Sequence, residues 1–206
     1  MVTEIHLVRH AQSLAQTGEA PWLDPDLSEL GTRQARALGT VLGNARYALT
    51  ILSPLLRARR TFELARLRTE EIRFDSRLVE VTLNRGKGYD YREILPYATP
   101  GYGEPDAVDM WTAAAGVRVA SLLSELRGVR GPVLMIAHCG LLHVVRHYLS
   151  GDPIDGEPIL NDFVRQQLMN NVALSTAELG ATPRGDRIVE WNRTIVDLDP
   201  VSSAFL

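Results

Sequence analysis

The chain has 206 residues, 22 Lys and Arg against 25 Asp and Glu, a formal net charge of −3 and one cysteine. That length supports one well-buried core, and the near-even charge balance excludes the global basic field of a nucleic-acid binder. A lone Cys139 excludes an internal disulfide and a multi-cysteine zinc site, and it fits a reducing compartment.

No run approaches the roughly 18 apolar residues of a membrane span, and Glu4 within a short apolar start does not read as a secretory signal. The expected setting is the cytoplasm, with no membrane or nucleic-acid partner. Ile5 to Val8 is too short for an independent helix and reads as a buried first strand, stopping at Arg9 and His10. A polar loop over 11–26 is broken by Gly18, Pro21 and Pro25. Ser28 then caps a helix in which Leu30, Gln34, Leu38, Val41 and Leu42 keep helical spacing, with Gly43 as its stop. Thr50 to Ser53 form a second strand ended by Pro54. A helix from Leu55 to Leu67 carries Arg57, Arg59 and Arg60, and Asp75 to Val81 read as a sheet edge or an entry to a loop.

Residues 84–106 change character, with Gly and Pro alternating with Tyr89, Tyr91, Tyr97 and Tyr102. This excursion reads either as a lid or as a surface loop with aromatic anchors. Ala107 to Leu126 follow as a helix with Val117, Ala120, Leu123 and Leu126 on one face. Pro132 to Ala137 is the clearest buried strand and ends at His138-Cys139-Gly140. A helix from Leu141 to Leu149 stops at Gly151, and Val172–Leu179 and Arg187–Leu198 read as two paired late strands. Strands alternating with helices of this length predict a three-layer α/β/α sandwich with a mostly parallel central sheet, built as one domain over 1–206.

Ligands of open α/β sheets collect outside the carboxyl ends of the strands. Three predicted strand ends carry polar groups there: Arg9-His10, Ser53 through Arg57, and His138. Two arginines and two histidines at one sheet edge make a pocket for a dianion, most simply a phosphoryl group, because the guanidinium fork holds two oxygens and keeps its charge.

Leu7-Val8-Arg9-His10-Ala11-Gln12-Ser13 resembles the signature of the histidine phosphatase superfamily, which includes the cofactor-dependent phosphoglycerate mutases. The likeness covers about residues 4–179. It continues through Asp26 to Ala35, through Ser53 to Thr61 with Arg57 in the functional place, through Leu78-Val79-Glu80, and through Ile136 to Gly140 around His138. The resemblance implies a phosphoglycerate-mutase-like fold and a phosphohistidine mechanism. His10 is then the nucleophile, Arg9, Arg57 and His138 hold the phosphoryl oxygens, and Glu80 is the proton donor and acceptor. Glu93 and Glu104 are the alternatives to Glu80. Gln16 stands where mutases often place an asparagine near phosphate. Ala11 replaces the usual glycine, and alanine would be strained there if the backbone took a positive φ. No cofactor or metal is called for.

The run after Glu80, Val81 to Gly86, lacks the basic and aromatic residues with which mutases hold a phosphoglycerate carboxylate. Hydrolysis of a small phosphomonoester is therefore the first expectation. Mutase-type phosphotransfer, or an inactive phosphate-binding protein on the same fold, is the alternative. The expected partners are a small phosphorylated substrate or inorganic phosphate, and a homodimer is compatible with this reading. Cys139 and Arg146 have six residues between them, whereas a cysteine phosphatase loop needs five. His143 and His147 lie four apart on one helix face but have no acidic third ligand between them. Asn171 reads as structural, His6 as a polar contact across the sheet, and Arg146 as a candidate support for the second histidine loop.

Overall fold

The computed structural model describes residues 1–20, 24–80, 112–152, 169–180 and 182–198. Its strands are β1 (Thr3–Arg9), β2 (Arg46–Leu52), β3 (Arg68–Phe74), β4 (Val133–Ala137), β5 (Leu174–Leu179) and β6 (Arg187–Arg193). They form one sheet in the order β3-β2-β4-β1-β5-β6. β1 to β4 run parallel, and β5 and β6 are added antiparallel at one side. Its main helices are α1 (Glu29–Leu42), α2 (Leu56–Ala65), α3 (Thr112–Leu126) and α4 (Cys139–Ser150).

β4 is buried at all five positions because helices cover both faces of the sheet at its centre. On one face Ile5, Leu7, Ile51, Val133 and Met135 pack against α3 and α4 through Leu122, Leu123, Leu126, Leu141 and Val145. On the other, Val8, Leu52, Leu134 and Ile136 pack against α1 and α2 through Ala35, Leu38 and Ala58. Two apolar cores separated by the sheet are the three layers expected. Ser28 caps α1 by accepting the Gly31 N–H at 3.0 Å.

The layering locates the crevice. β1 leads into α1 on one face, while its neighbour β4 leads into α4 on the other. Adjacent parallel strands whose helices depart to opposite sides leave a cleft at their carboxyl ends. The β1–β4 register pairs Arg9 with Ala137, so the next residue on each strand, His10 and His138, falls at that opening.

Several boundaries differ from the sequence expectations. β2 starts at Arg46 rather than Thr50, and β3 replaces the edge expected at Asp75–Val81, where a 3-10 turn (Ser76–Leu78) stands instead. β3 carries four charged residues among its seven, as an edge strand tolerates, and is held to β2 by backbone pairing. Val117 is 73% exposed, contrary to its expected place on the buried face; α3 buries Ala115, Val119, Leu122, Leu123 and Leu126 instead. α4 begins at Cys139 rather than Leu141, with His138 at its N-cap. β5 starts at Leu174, because Val172 has φ 50°, and β6 stops at Arg193 rather than Leu198. The excursion at 84–106, the start of the helix expected from Ala107, Trp22, Glu93 and Glu104 lie outside the described residues.

Candidate active site

Each parallel strand delivers one component. β1 ends in Arg9 and runs into His10, whose N–H donates to the Ala137 carbonyl at 2.9 Å. β2 runs into Ser53, whose N–H donates to Ile136 O at 3.0 Å, and then into α2, whose first turn carries Arg57. β3 leads through the 3-10 turn to Glu80. β4 runs into His138. All five of Arg9, His10, Arg57, Glu80 and His138 are buried.

The two imidazoles lie 5.1 Å apart between centroids, tilted at 57°. Arg57 Nε donates to His10 Nε2 at 3.3 Å, and His10 Nδ1 lies 2.7 Å from the Ala11 carbonyl. A guanidinium N–H can only donate and a carbonyl can only accept. The network therefore assigns the proton to Nδ1 and leaves the Nε2 lone pair facing Arg57. The acceptor that orients His10 is thus the carbonyl of its own neighbour, which the sequence does not mark. Ala11 does not take a positive φ, so alanine here carries no strain.

His138 Nε2 lies 2.7 Å from Ser53 Oγ. Its Nδ1 and Arg9 Nε are buried atoms with no hydrogen-bond partner among the described residues. Arg9 Nη1 donates to Met169 O at 2.5 Å. Asp24 Oδ1 accepts the Leu56 N–H at 2.6 Å and lies 3.9 Å from Arg57 Nη1. It thereby supplies the helix-start acceptor that Leu55, the N-cap of α2, lacks. Thr61 Oγ1 donates to Arg57 O at 2.7 Å and accepts the Ala11 N–H at 3.0 Å, linking the two motifs. Asp24, Ser53 and Thr61 lie in or beside the runs read as functional, but their roles depend on contacts between distant segments.

Glu80 meets His138 at the start of α4. Its carboxylate accepts the Leu141 N–H at 3.0 Å and the Gly140 N–H at 3.4 Å, where the helix dipole favours negative charge. Gln16 lies beside the site, where its amide pairs with that of Asn171, which donates to His10 O at 2.8 Å. His143 stacks edge-on to Trp191, and the Arg146 guanidinium lies over the same ring. His6 reaches Tyr47 Oη at 2.9 Å, a polar contact across the sheet face as expected. Among the described residues no group of three or more His, Cys, Asp or Glu side chains is placed to hold a metal, and no helix is long and apolar enough to cross a membrane.

Burial, reinforced by the guanidiniums of Arg57 and Arg9, holds His10 well below the usual histidine value of 6.5. Burial is also the largest cause for His138, followed by Arg57, His10 and Arg9. Burial pushes the Cys139 thiol up, away from the thiolate a nucleophile needs. The lowered histidines predict a pH dependence of stability. Below about pH 6.5 the unfolded chain takes up two protons that the native state refuses, so stability falls as pH falls through that window. The slope from these two groups approaches about 2.7 kcal/mol per pH unit. Urea unfolding between pH 7 and 5 checks it, and His10→Ala should remove about half of the slope.

A mostly parallel α/β sheet gathers two histidines and two arginines in a cleft at its carboxyl edge, an arrangement whose charge and donors suit a phosphoryl group. The chain belongs to the histidine phosphatase superfamily (branch 1), whose family model matches residues 5–194. It is similar to the glucosyl-3-phosphoglycerate phosphatase of Mycolicibacterium vanbaalenii, at 29% identity over 184 residues, covering 77% of this chain and 79% of that one. The solved native structure of a mycobacterial glucosyl-3-phosphoglycerate phosphatase is 26% identical, with TM-score 0.62, covering 94% of this chain and 100% of that one. A second structure of that enzyme, in complex with VO3, is 25% identical with TM-score 0.64, covering 93% and 99%. A protein described as mycobacterial hydrolase 1 shares the fold at TM-score 0.68 and 23% identity, covering 94% and 100%.

Proposed function

We propose that the chain is a phosphatase that hydrolyses a small phosphomonoester through a phosphohistidine on His10, without a metal. The observation that carries this reading is the pair of contacts on one imidazole. Nδ1 is fixed as the donor to Ala11 O, so Nε2 is an unprotonated nucleophile facing a guanidinium. The lone pair of Nε2 attacks phosphorus, the ester P–O bond breaks, and its electron pair leaves on the alkoxide oxygen. Glu80, which must take up a proton for this step against the two N–H donors that favour its carboxylate, gives that oxygen a proton. Water then attacks the phosphohistidine and passes a proton to the Glu80 carboxylate. The N–P bond breaks, inorganic phosphate leaves, and His10 is neutral again. Acid–base help of this kind is worth about 10²–10⁴-fold in rate.

Arg9 and Arg57 supply the positive charge that a metal supplies elsewhere, already ordered before the phosphoryl group arrives. Nδ1 of His138 and Nε of Arg9, without a hydrogen-bond partner among the described residues, are polar atoms for which a phosphoryl oxygen is a fitting partner. The phosphatase names of the similar proteins support hydrolysis over phosphotransfer, while the VO3 bound to one of them is a phosphoryl analogue that fits either reaction. The test is release of phosphate from p-nitrophenyl phosphate in the presence of EDTA. A panel run alongside should contain glucosyl-3-phosphoglycerate, and 3-phosphoglycerate isomerisation should be assayed separately. Activity that disappears with EDTA and returns with a divalent metal contradicts the proposal.

A further inference from the structure

The turn before β5 holds the end of β1 at three points. Met169 O accepts Arg9 Nη1 at 2.5 Å, the Val172 N–H donates to Arg9 O at 3.0 Å, and Asn171 Nδ2 donates to His10 O at 2.8 Å. Asn171 is buried and in turn paired with Gln16. Gln16 Nε2 donates to Asn171 Oδ1 at 3.0 Å, and Asn171 Nδ2 donates to Gln16 Oε1 at 3.2 Å. Gln16 Oε1 also accepts the Ser13 N–H at 3.1 Å, so the loop that follows His10 is fixed by the same pair.

The backbone here is held against its preference. Val172 takes φ 50°, a left-handed conformation that a β-branched residue rarely adopts. Such strain persists only where the surroundings over-determine it, and it concentrates at functional sites. The turn places the Asn171 side chain on the His10 carbonyl and the Val172 N–H on the Arg9 carbonyl at once. The following carbonyl, that of Ala11, is the one that receives the His10 Nδ1 proton. Rotation of the His10–Ala11 peptide changes ψ of His10 and φ of Ala11, and so shifts the imidazole relative to the Ala11 carbonyl that selects its tautomer.

We propose that Asn171 and Gln16 form a positioning pair that fixes the His10–Ala11 peptide, and with it the direction in which Nε2 attacks. Neither side chain needs to touch phosphate for this role. Only an amide at 171 satisfies all three contacts. Its NH₂ serves the two acceptors His10 O and Gln16 Oε1, while its carbonyl receives Gln16 Nε2; a carboxylate would face the first two without a proton.

The inference rests on His10 as the nucleophile, and the experiment separates the two. Wild type, His10→Ala, Asn171→Ala, Asn171→Asp, Gln16→Ala and the Gln16→Ala/Asn171→Ala double variant are assayed with p-nitrophenyl phosphate. Inorganic phosphate is the competitive inhibitor in each case, and folding is checked by circular dichroism. A small displacement of a reacting group costs on the order of 10²-fold in rate. Asn171→Ala should lose about that in kcat, while KM and phosphate inhibition change by less than about threefold. Asn171→Asp, although isosteric, should recover none of the loss. Gln16→Ala should lose less in the same direction, and the double variant should fall no further than Asn171→Ala alone, as expected of residues acting as a unit.

An active His10→Ala overturns the nucleophile. A wild-type kcat for Asn171→Ala with His10→Ala inactive overturns the positioning pair and leaves the nucleophile standing. Weaker phosphate inhibition with unchanged kcat in Gln16→Ala makes Gln16 a phosphate ligand and also overturns the pair. Where Asn171→Ala does not fold, Gln16→Ala decides. It breaks the pair from the half-buried side without altering the turn, and an unchanged kcat there rejects the proposal.

Discussion

His10→Ala is expected to abolish phosphate release, by at least about 10⁴-fold, while the protein stays folded. The size follows from the chemistry: without the imidazole there is no covalent intermediate, and what remains is binding and charge stabilisation by the surrounding groups. The fold should survive because His10 makes its main attachments through the backbone, to the Ala137 and Asn171 sides of the cleft. Circular dichroism and urea unfolding at pH 7 check the fold, and the p-nitrophenyl phosphate assay checks the rate. Residual activity within tenfold of wild type rejects His10 as nucleophile.

Arg57→Ala is expected to cost about 10²–10³-fold in kcat, the loss typical of removing one preorganised donor to a developing charge. It should raise KM as well, because the guanidinium also meets the phosphoryl group in the ground state. A second signature separates this loss from mere misfolding. After burial, Arg57 is the largest cause of the lowered His10 value. Removing its positive charge makes the imidazolium easier to form, so His10 titrates closer to 6.5. The acid limb of the kcat/KM profile then moves to higher pH. The move is partial, because burial remains. Arg57→Lys should restore much of the pH profile but less of the rate, since an ammonium carries the charge without the planar fork. An acid limb that does not move in Arg57→Ala contradicts the electrostatic role.

The strand ends were legible in the sequence because short apolar runs stop abruptly at polar groups. Ile5–Val8 before Arg9-His10 and Val133–Ala137 before His138 both form central strands, and their parallel register brings the two histidines together. What the sequence could not carry is what depends on pairing. β3 has only Ile72 and Phe74 as apolar residues, and its pairing with β2 is announced by no local pattern. The exposure of Val117 has a similar origin. Ala115, Val119, Leu122 and Leu126 define a second acceptable apolar stripe on α3, and only the docked sheet selects between them. The supporting contacts around His10 were hidden for the same reason. The partners Asn171, Thr61 and Ala11 O lie on three segments, and Asn171 is 161 positions away from His10 in the chain.

Gln16 is the case in which motif position and hydrogen bonding give different information. Its place in the chain suggests nearness to phosphate, and the structure adds that its amide meets Asn171 and the Ser13 N–H. Position relative to a motif specifies which loop a residue occupies, while competition among nearby donors and acceptors decides where an amide turns.

The central claim is that phosphorus becomes bonded to His10 during turnover. The direct measurement is mass spectrometry of protein quenched into alkaline denaturant milliseconds after mixing with substrate, conditions under which a phosphorylated imidazole survives. The account predicts one added phosphoryl group on the peptide containing His10, formed and lost at rates consistent with kcat, and absent from His10→Ala. A fully active enzyme that never carries that group, or carries it on another residue, contradicts the account.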